Sequence, residues 1–117
     1  MQQAVLKIRE LGVPPKGFEN SDPFYDEDTL QTWDAWIDAA VAIQMPITWE
    51  EAEILIQCCP TERMAGVEWT ILHCIESVFS SELDNPEEIK RFQNLIAKCN
   101  SDMMKNLLLQ RLPNHKA

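Results

Sequence analysis

The central part of this chain contains almost no basic residues. Residues 17–89 carry one basic side chain, Arg63, against seventeen carboxylates, which gives this region a net charge of −16. Residues 1–16 and 90–117 carry net charges of +2 and +5, so the 117-residue chain has a formal charge of −9. An acidic surface repels phosphates and attracts basic partners, which speeds their association. The sequence therefore predicts no direct contact with nucleic acid through this region and favours a basic protein partner.

Long apolar runs are also missing. No stretch approaches the roughly 18 consecutive apolar residues that a membrane-spanning helix needs, so no membrane partner is predicted. The first residues, MQQAVLK, lack the basic segment followed by an apolar run that marks a signal peptide. We therefore expect a cytoplasmic protein.

The four cysteines lack the spacing of a metal site. The sequence contains no C-x-x-C and no H-x-x-x-H pattern, so neither a metal nor any other cofactor is predicted. All four lie within apolar, helix-like segments, and two of them are adjacent: Cys58, Cys59, Cys74 and Cys99. We expect four reduced, largely buried thiols rather than disulfides. Because they are buried, these thiols should react slowly with a thiol reagent.

Catalytic constellations are missing as well. His73, Glu76 and Ser77 fall on one helical segment, but no glycine-rich turn or set of oxyanion donors accompanies them. The carboxylates at Asp22, Asp26 and Asp28 lack the glycine and the glutamate that a calcium loop requires. We therefore predict that the protein is not an enzyme and has no catalytic residues.

Prolines and capping residues divide the chain into helices. Helical periodicity and these boundary signals predict helices over residues 2–11, 28–44, 49–59, 62–79, 86–99 and 102–112. Thr48 and Glu51 form a T-x-x-E capping box at the start of the third helix. The predicted fold is all-α, with five or six helices in an irregular antiparallel bundle or a short HEAT-like array.

We expect one helical domain over residues 1–117. Its predicted parts are a first helix within 1–12, a loop over 13–27 pinned by its aromatic residues, a helical core over 28–112 and a tail over 113–117. The i, i+3, i+4, i+7 pattern predicts the inward face of the second helix. The members of that face are Leu30, Trp33, Ile37, Ala40, Val41 and Gln44. Trp33 and Trp49 are predicted to be core residues.

Several carboxylates lie inside helices without a basic partner one turn away. Helix dipoles favour acids at helix starts but do not account for acids in helix interiors such as Glu68. We predict a partner-binding surface made of Asp34, Asp38, Glu50, Glu53, Glu62 and Glu76, with Trp69 and Trp36 as apolar anchors. Trp69 lies opposite the apolar face of its helix, so it is either an exposed anchor or covered by another helix.

Residues 62–76, ERMAGVEWTILHCIE, resemble the central helix of some helical, HEAT-like bacterial immunity proteins. Such proteins are encoded beside polymorphic or contact-dependent growth-inhibition toxins and neutralise them one-to-one. The resemblance implies a basic toxin domain, commonly a nuclease, whose active-site cleft or neighbouring surface is covered by a monomeric inhibitor. The alternatives are a phage-type nucleic-acid mimic, such as an anti-restriction or anti-CRISPR protein, and a helical adaptor or regulatory domain.

Overall fold

The computed structural model describes residues 1–18, 27–78 and 86–112. These residues form six helices and no strand, so the all-α prediction is confirmed. The helices are α1 Gln3–Leu11, α2 Glu27–Ala42, α3 Trp49–Leu55, α4 Val67–Glu76, α5 Pro86–Ile96 and α6 Asp102–Gln110. Asp22 and Asp26 of the calcium-like pattern lie outside the described residues, as does the predicted tail.

The helices are arranged as three consecutive pairs in two layers. Contacts join α1 to α2, α3 to α4 and α5 to α6, and between pairs they join α1 to α3, α2 to α4 and α4 to α6. The α5 helix reaches α3 through side chains, since Arg91 lies over the Trp49 ring at 4.3 Å from its centroid. One layer therefore contains α1, α3 and α5, and the other contains α2, α4 and α6. This pairing is that of a short helical array.

Side-chain caps fix where α3 and α6 begin. The Glu51 amide donates to Thr48 Oγ1 at 3.1 Å and the Thr48 amide donates to Glu51 Oε1 at 2.9 Å, which confirms the predicted capping box. The backbone amide of Gln2 also donates to Glu51, at 2.9 Å, and so ties the start of α1 to α3. At α6, Ser101 accepts a hydrogen bond from the Met104 amide at 3.2 Å.

The α4 helix begins five residues later than predicted. Ala65 and Gly66 have positive φ angles of 53° and 96°, which is the left-handed region and interrupts a helix. Glu68 is buried in the first turn of α4 and accepts hydrogen bonds from the amides of Met64 and Gly66 at 2.9 and 3.1 Å. The sequence predicted that Glu68 lies in a helix interior, and that prediction is wrong because α4 begins at Val67. In the first turn, the charge of Glu68 stabilises the turn that precedes the helix.

The inward face of α2 is rotated from the predicted one. Trp33 is buried as predicted, but Trp36 is fully buried too, whereas Leu30 and Val41 are exposed. The two indole N–H groups donate to backbone carbonyls, Trp33 to Pro15 at 2.7 Å and Trp36 to Gly12 at 3.0 Å. Burying two large aromatic rings stabilises the fold more than burying two aliphatic side chains, so the tryptophans set which face turns inward.

One aromatic residue of the predicted loop rests on this core. The ring of Phe18 meets the Trp33 ring edge-on, with centroids 5.4 Å apart and planes at 89°. Edge-to-face packing of this kind is a favourable aromatic geometry. Phe24 and Tyr25, the other aromatic residues predicted to pin the loop, lie outside the described residues.

Candidate protein interface

The solvent face of α2 combines aliphatic and acidic side chains. Leu30, Val41 and Met45 are 45%, 62% and 57% exposed, and Asp34 and Asp38 are exposed between them. Successive members are separated by three or four residues, which places the four members within α2 on one stripe of the helix. At a rise of about 1.5 Å per residue, these four extend over about 16 Å, and Met45 follows three residues after the helix ends. We call these five residues the α2 stripe.

The two carboxylates of the α2 stripe have no cationic partner in the part of the chain that the structure describes. The α2 helix itself contains no lysine or arginine. Ion pairs within residues 1–18, 27–78 and 86–112 involve other carboxylates, those of Glu10, Glu53, Glu68 and Glu76. Asp34 and Asp38 are one turn apart, and a like-charge pair at this spacing is mildly destabilising. The stripe is therefore an uncompensated negative surface.

A shallow groove runs beside the α2 stripe, between α1 and α2. Its volume is about 430 Å³ and its lining is Gln3, Ala4, Lys7, Ala35, Asp38, Ala39 and Ala42. The four alanines give the groove an apolar floor, while Lys7 and Asp38 place one charge of each sign at its edges. A groove of this shape can accept an apolar side chain of a partner whose basic group lies near Asp38.

Trp69 lies on the solvent side of α4 and is 37% exposed. Its ring centroid is 6.4 Å from that of His73, one turn further along the helix. Of the two alternatives for Trp69, partial exposure is observed. The α2 and α4 helices contact each other, so Trp69 belongs to the same layer as the α2 stripe.

The predicted acidic surface is split between the two layers. Glu50 and Glu53 belong to α3, in the layer opposite α2. Lys98 Nζ lies 3.0 and 3.1 Å from the two carboxylate oxygens of Glu53, so that charge is compensated. Glu50 lines a depression of about 380 Å³ together with Arg91. The structure therefore does not place this pair with Asp34 and Asp38.

Two further predicted acids have structural contacts. Glu62 is exposed, and its carboxylate accepts a hydrogen bond from the Gly17 amide at 2.9 Å, which holds the loop after α1 against the chain before α4. Glu76 is only 18% exposed and lies between Arg111, which donates to it, and His73, whose Nδ1 is 3.6 Å away. The charge of Glu76 is thus compensated within the protein.

Trp36 cannot serve as a surface anchor. Its side chain is fully buried and its N–H group donates to the Gly12 carbonyl, so the sequence interpretation of this residue is wrong. Adjacency to Asp34 and Asp38 along the chain suggested a position near the acidic surface. On a helix, however, a residue two positions from Asp34 lies about 200° around the axis, on the opposite side.

The described residues do not form a metal site, a membrane-spanning helix or a serine–histidine pair. No group of three or more His, Cys, Asp or Glu side chains there could hold a metal ion. No described helix is both long and apolar enough to cross a membrane. The hydroxyl of Ser77 donates to the Cys74 carbonyl at 2.6 Å and accepts from the Ile47 amide at 3.0 Å, so these backbone groups, rather than His73, hold it.

Comparison with known proteins gives no relative: no protein-family model, curated protein or solved structure matches the chain. The interface hypothesis therefore depends on the geometry of the chain itself. Sequence patterns indicated Asp34 and Asp38 correctly as exposed acids but missed the exposed aliphatic residues on either side of them. A helical pattern shows that one face is apolar, but it cannot show that a tryptophan outside that face turns inward.

Proposed function

We propose that this protein is an acidic inhibitor that binds a basic protein one-to-one, with the α2 stripe at the centre of its interface. The observation that carries the proposal is the pair of exposed carboxylates, Asp34 and Asp38, which have no cationic partner among the described residues. Exposed aliphatic side chains flank the pair, Leu30 on one side and Val41 and Met45 on the other. The carboxylates attract and orient a basic partner, while the aliphatic side chains supply apolar area that becomes buried on binding.

The composition of the α2 stripe favours a protein partner over mimicry of nucleic acid. A mimic needs closely spaced charges, since each DNA strand carries one phosphate per about 3.4 Å of helix axis. The α2 helix has four carboxylates over about 16 Å, at about 1.5 Å of rise per residue, and none of them lies between Asp28 and Asp34. Leu30 is exposed in that gap and Val41 is exposed beyond Asp38. A protein can bury this apolar surface, whereas a phosphate-binding channel does not require it.

The partner class that best fits this surface is a toxin nuclease domain, as the resemblance of residues 62–76 to immunity proteins implies. Nucleases bind phosphate and are therefore basic around their active sites, so an acidic inhibitor is steered toward the surface that it has to cover. Trp69, which is exposed on the neighbouring α4 helix, supplies a second contact of the kind that dominates binding energy in protein interfaces.

The experiment first asks whether a basic toxin domain is encoded beside the gene for this protein, and that domain is then the binding partner tested. The purified chain is titrated against that domain, and stopped-flow fluorescence measures the association rate at low ionic strength. We expect a one-to-one complex, loss of toxin activity, and an association rate at least about tenfold slower for Asp34→Lys/Asp38→Lys, since charges at an interface mainly set that rate.

Glu50→Lys/Glu53→Lys is the matched control, because it changes the net charge by the same amount on the opposite layer. We expect it to slow association much less than the α2 double variant does. Circular dichroism and urea unfolding verify that both variants remain folded. Equal rates for the wild-type protein and Asp34→Lys/Asp38→Lys would disprove the assignment of the α2 stripe. Tight binding to an enzyme that acts on double-stranded DNA, with no binding to the toxin domain, would instead support the function of a nucleic-acid mimic.

A further inference from the structure

The loop between α5 and α6 is clamped to the end of α3. The side chain of Asn100 makes two hydrogen bonds with the backbone of Cys59, accepting from its amide and donating to its carbonyl, each at 2.8 Å. The Asn100 amide donates to the Ile56 carbonyl at 3.3 Å. These bonds bring Cys99, the preceding residue, beside Cys59, although the two cysteines are 40 positions apart in the sequence.

The two thiols are neighbours within this clamp, since each shifts the acidity of the other. The Cys59 thiol donates to the Leu55 carbonyl at 3.2 Å, and the Cys99 thiol donates to the Ser101 carbonyl at 3.4 Å. Cys59 is fully buried, whereas Cys99 is partly exposed. Cys99 is therefore the more accessible of the two thiols to a small oxidant in solvent.

The two sulfur atoms differ in acidity. The hydrogen bond from Cys59, together with Lys105 nearby, lowers the pKa of Cys99 to about 7. The same contact with Cys99 raises the pKa of Cys59 well above its ordinary value. Burial raises the pKa of Cys58 and of Cys74, so these two thiols are less nucleophilic at neutral pH.

We propose that Cys59 and Cys99 form an oxidant-sensitive dithiol site that a hydroperoxide converts into a reversible disulfide. The Cys99 thiolate attacks the outer peroxide oxygen and breaks the O–O bond, giving a sulfenic acid at Cys99 and, with hydrogen peroxide, one water. The Cys59 sulfur then attacks the Cys99 sulfur and releases the second water as the S–S bond forms. Two thiols lose two electrons in total and the peroxide gains both, so the step needs no other reactant.

The disulfide joins the end of α3 to the α5–α6 loop by a covalent bond where the Asn100 clamp already holds them. It would therefore leave the six helices in place and make the two segments harder to separate. The inference is independent of the α2 stripe, because α3 and α5 belong to the opposite layer. Either proposal can fail without affecting the other.

The test treats the reduced full-length protein with a small molar excess of hydrogen peroxide at about pH 7.5, followed by N-ethylmaleimide, proteolysis and mass spectrometry. We expect a peptide pair linked through Cys59 and Cys99 that dithiothreitol separates, with Cys58 and Cys74 labelled by maleimide. The rate should rise about tenfold between pH 6 and pH 8, because it follows the thiolate fraction of a group that titrates near pH 7.

Variants at neighbouring cysteines control for nonspecific oxidation. Cys58→Ser and Cys74→Ser should form the linked peptide at the wild-type rate. Cys59→Ala should abolish it and let Cys99 proceed to the sulfinic acid, while Cys99→Ser should abolish both products. A link from Cys58 to Cys99, oxidation of Cys74 before Cys99, or no reversible disulfide in the wild-type protein would each overturn the proposal. The wild-type mapping decides the question even if a variant at buried Cys59 does not fold.

Discussion

At the scale of single residues, the count of carboxylates differs from the charge that faces solvent. Glu51 and Glu68 are both buried and hold backbone amides, and Glu53 and Glu76 are paired with cations. The sequence predicts an acidic protein correctly, but it cannot separate these four carboxylates from Asp34. Which role a carboxylate takes depends on the amides and cations that tertiary structure brings to it, and these come from distant positions.

Glu51 should make folding stability sensitive to acid. Burial opposes its ionisation, but hydrogen bonds from Thr48 and Gln2 outweigh burial and lower its pKa below the ordinary value of 4.5. Because the folded-state pKa is the lower one, this stabilisation is present above about pH 4.5 and is lost as pH falls through the folded-state pKa. We expect Glu51→Gln to cost about 1–2 kcal/mol at neutral pH and to weaken the acid dependence.

Urea unfolding at about pH 7 and pH 3.5 measures both effects. Glu50→Gln is the control, since Glu50 is the exposed neighbour in the same turn, and it should change the free energy of unfolding by less than about 0.5 kcal/mol. An equal loss of stability on acidification in Glu51→Gln and the wild-type protein would show that other groups cause the acid sensitivity.

The two tryptophans that the sequence named as anchors should behave differently on truncation. Trp36 is fully buried and its N–H group has a carbonyl partner, so Trp36→Ala should destabilise the fold by about 3–5 kcal/mol. Trp69 is over a third exposed, so Trp69→Ala should cost less than half as much and should instead weaken binding to the partner. Thermal unfolding of both variants checks this, and a larger stability loss for Trp69 would contradict it.

At the scale of helices, starts were easier to predict than ends, with the exception of the start of α4. The capping side chains of Thr48 and Ser101 mark the first turns of α3 and α6, and Pro86 begins α5 as expected. Helices such as α3 and α5 end at earlier residues than the apolar patterns predicted. Cys58 and Cys99, which follow them, belong to turns that pack against the core without being helical. A buried turn and a buried helix have similar hydrophobic patterns. Predictions from hydrophobic periodicity therefore include the buried turn in the helix and make the helix too long.

The Asn100 clamp should contribute measurable stability through one side chain. Asn100→Ala removes two hydrogen bonds to Cys59 and leaves its amide and carbonyl without those partners, which should cost about 2 kcal/mol. Asn94→Ala is the matched control, because Asn94 is exposed on α5 and alanine favours a helix. Urea unfolding gives the cost, and hydrogen exchange should show a less protected Cys59 amide. Equal stability of the two variants would mean that the clamp is energetically unimportant.

At the scale of the whole molecule, the sequence predicted an all-helical chain but not its two layers. Layering depends on which helices pair, and pairing is decided by side-chain contacts between distant segments such as Arg91 with Trp49. The predicted binding surface therefore combined residues that the fold separates, since Asp34 and Glu50 lie in opposite layers. What remains of it in one layer is Asp34 and Asp38 of the α2 stripe, together with the exposed Trp69 of α4.

An uncompensated acidic face should also lower the stability of the free protein. Asp34 and Asp38 repel each other one turn apart, so Asp34→Asn/Asp38→Asn should raise the free energy of unfolding by a few tenths of a kcal/mol. Raising NaCl from about 20 to about 300 mM screens this repulsion and should stabilise the wild-type protein more than the double variant. Glu53→Gln is the counterpart, because it removes a carboxylate that Lys98 compensates. Glu53→Gln should therefore not raise the free energy of unfolding.

Urea unfolding at both salt concentrations measures the wild-type protein and the two variants. If the α2 double variant were instead less stable than the wild-type protein, the two carboxylates would have a stabilising role within the fold, and the α2 stripe would no longer be a surface kept acidic at the expense of stability.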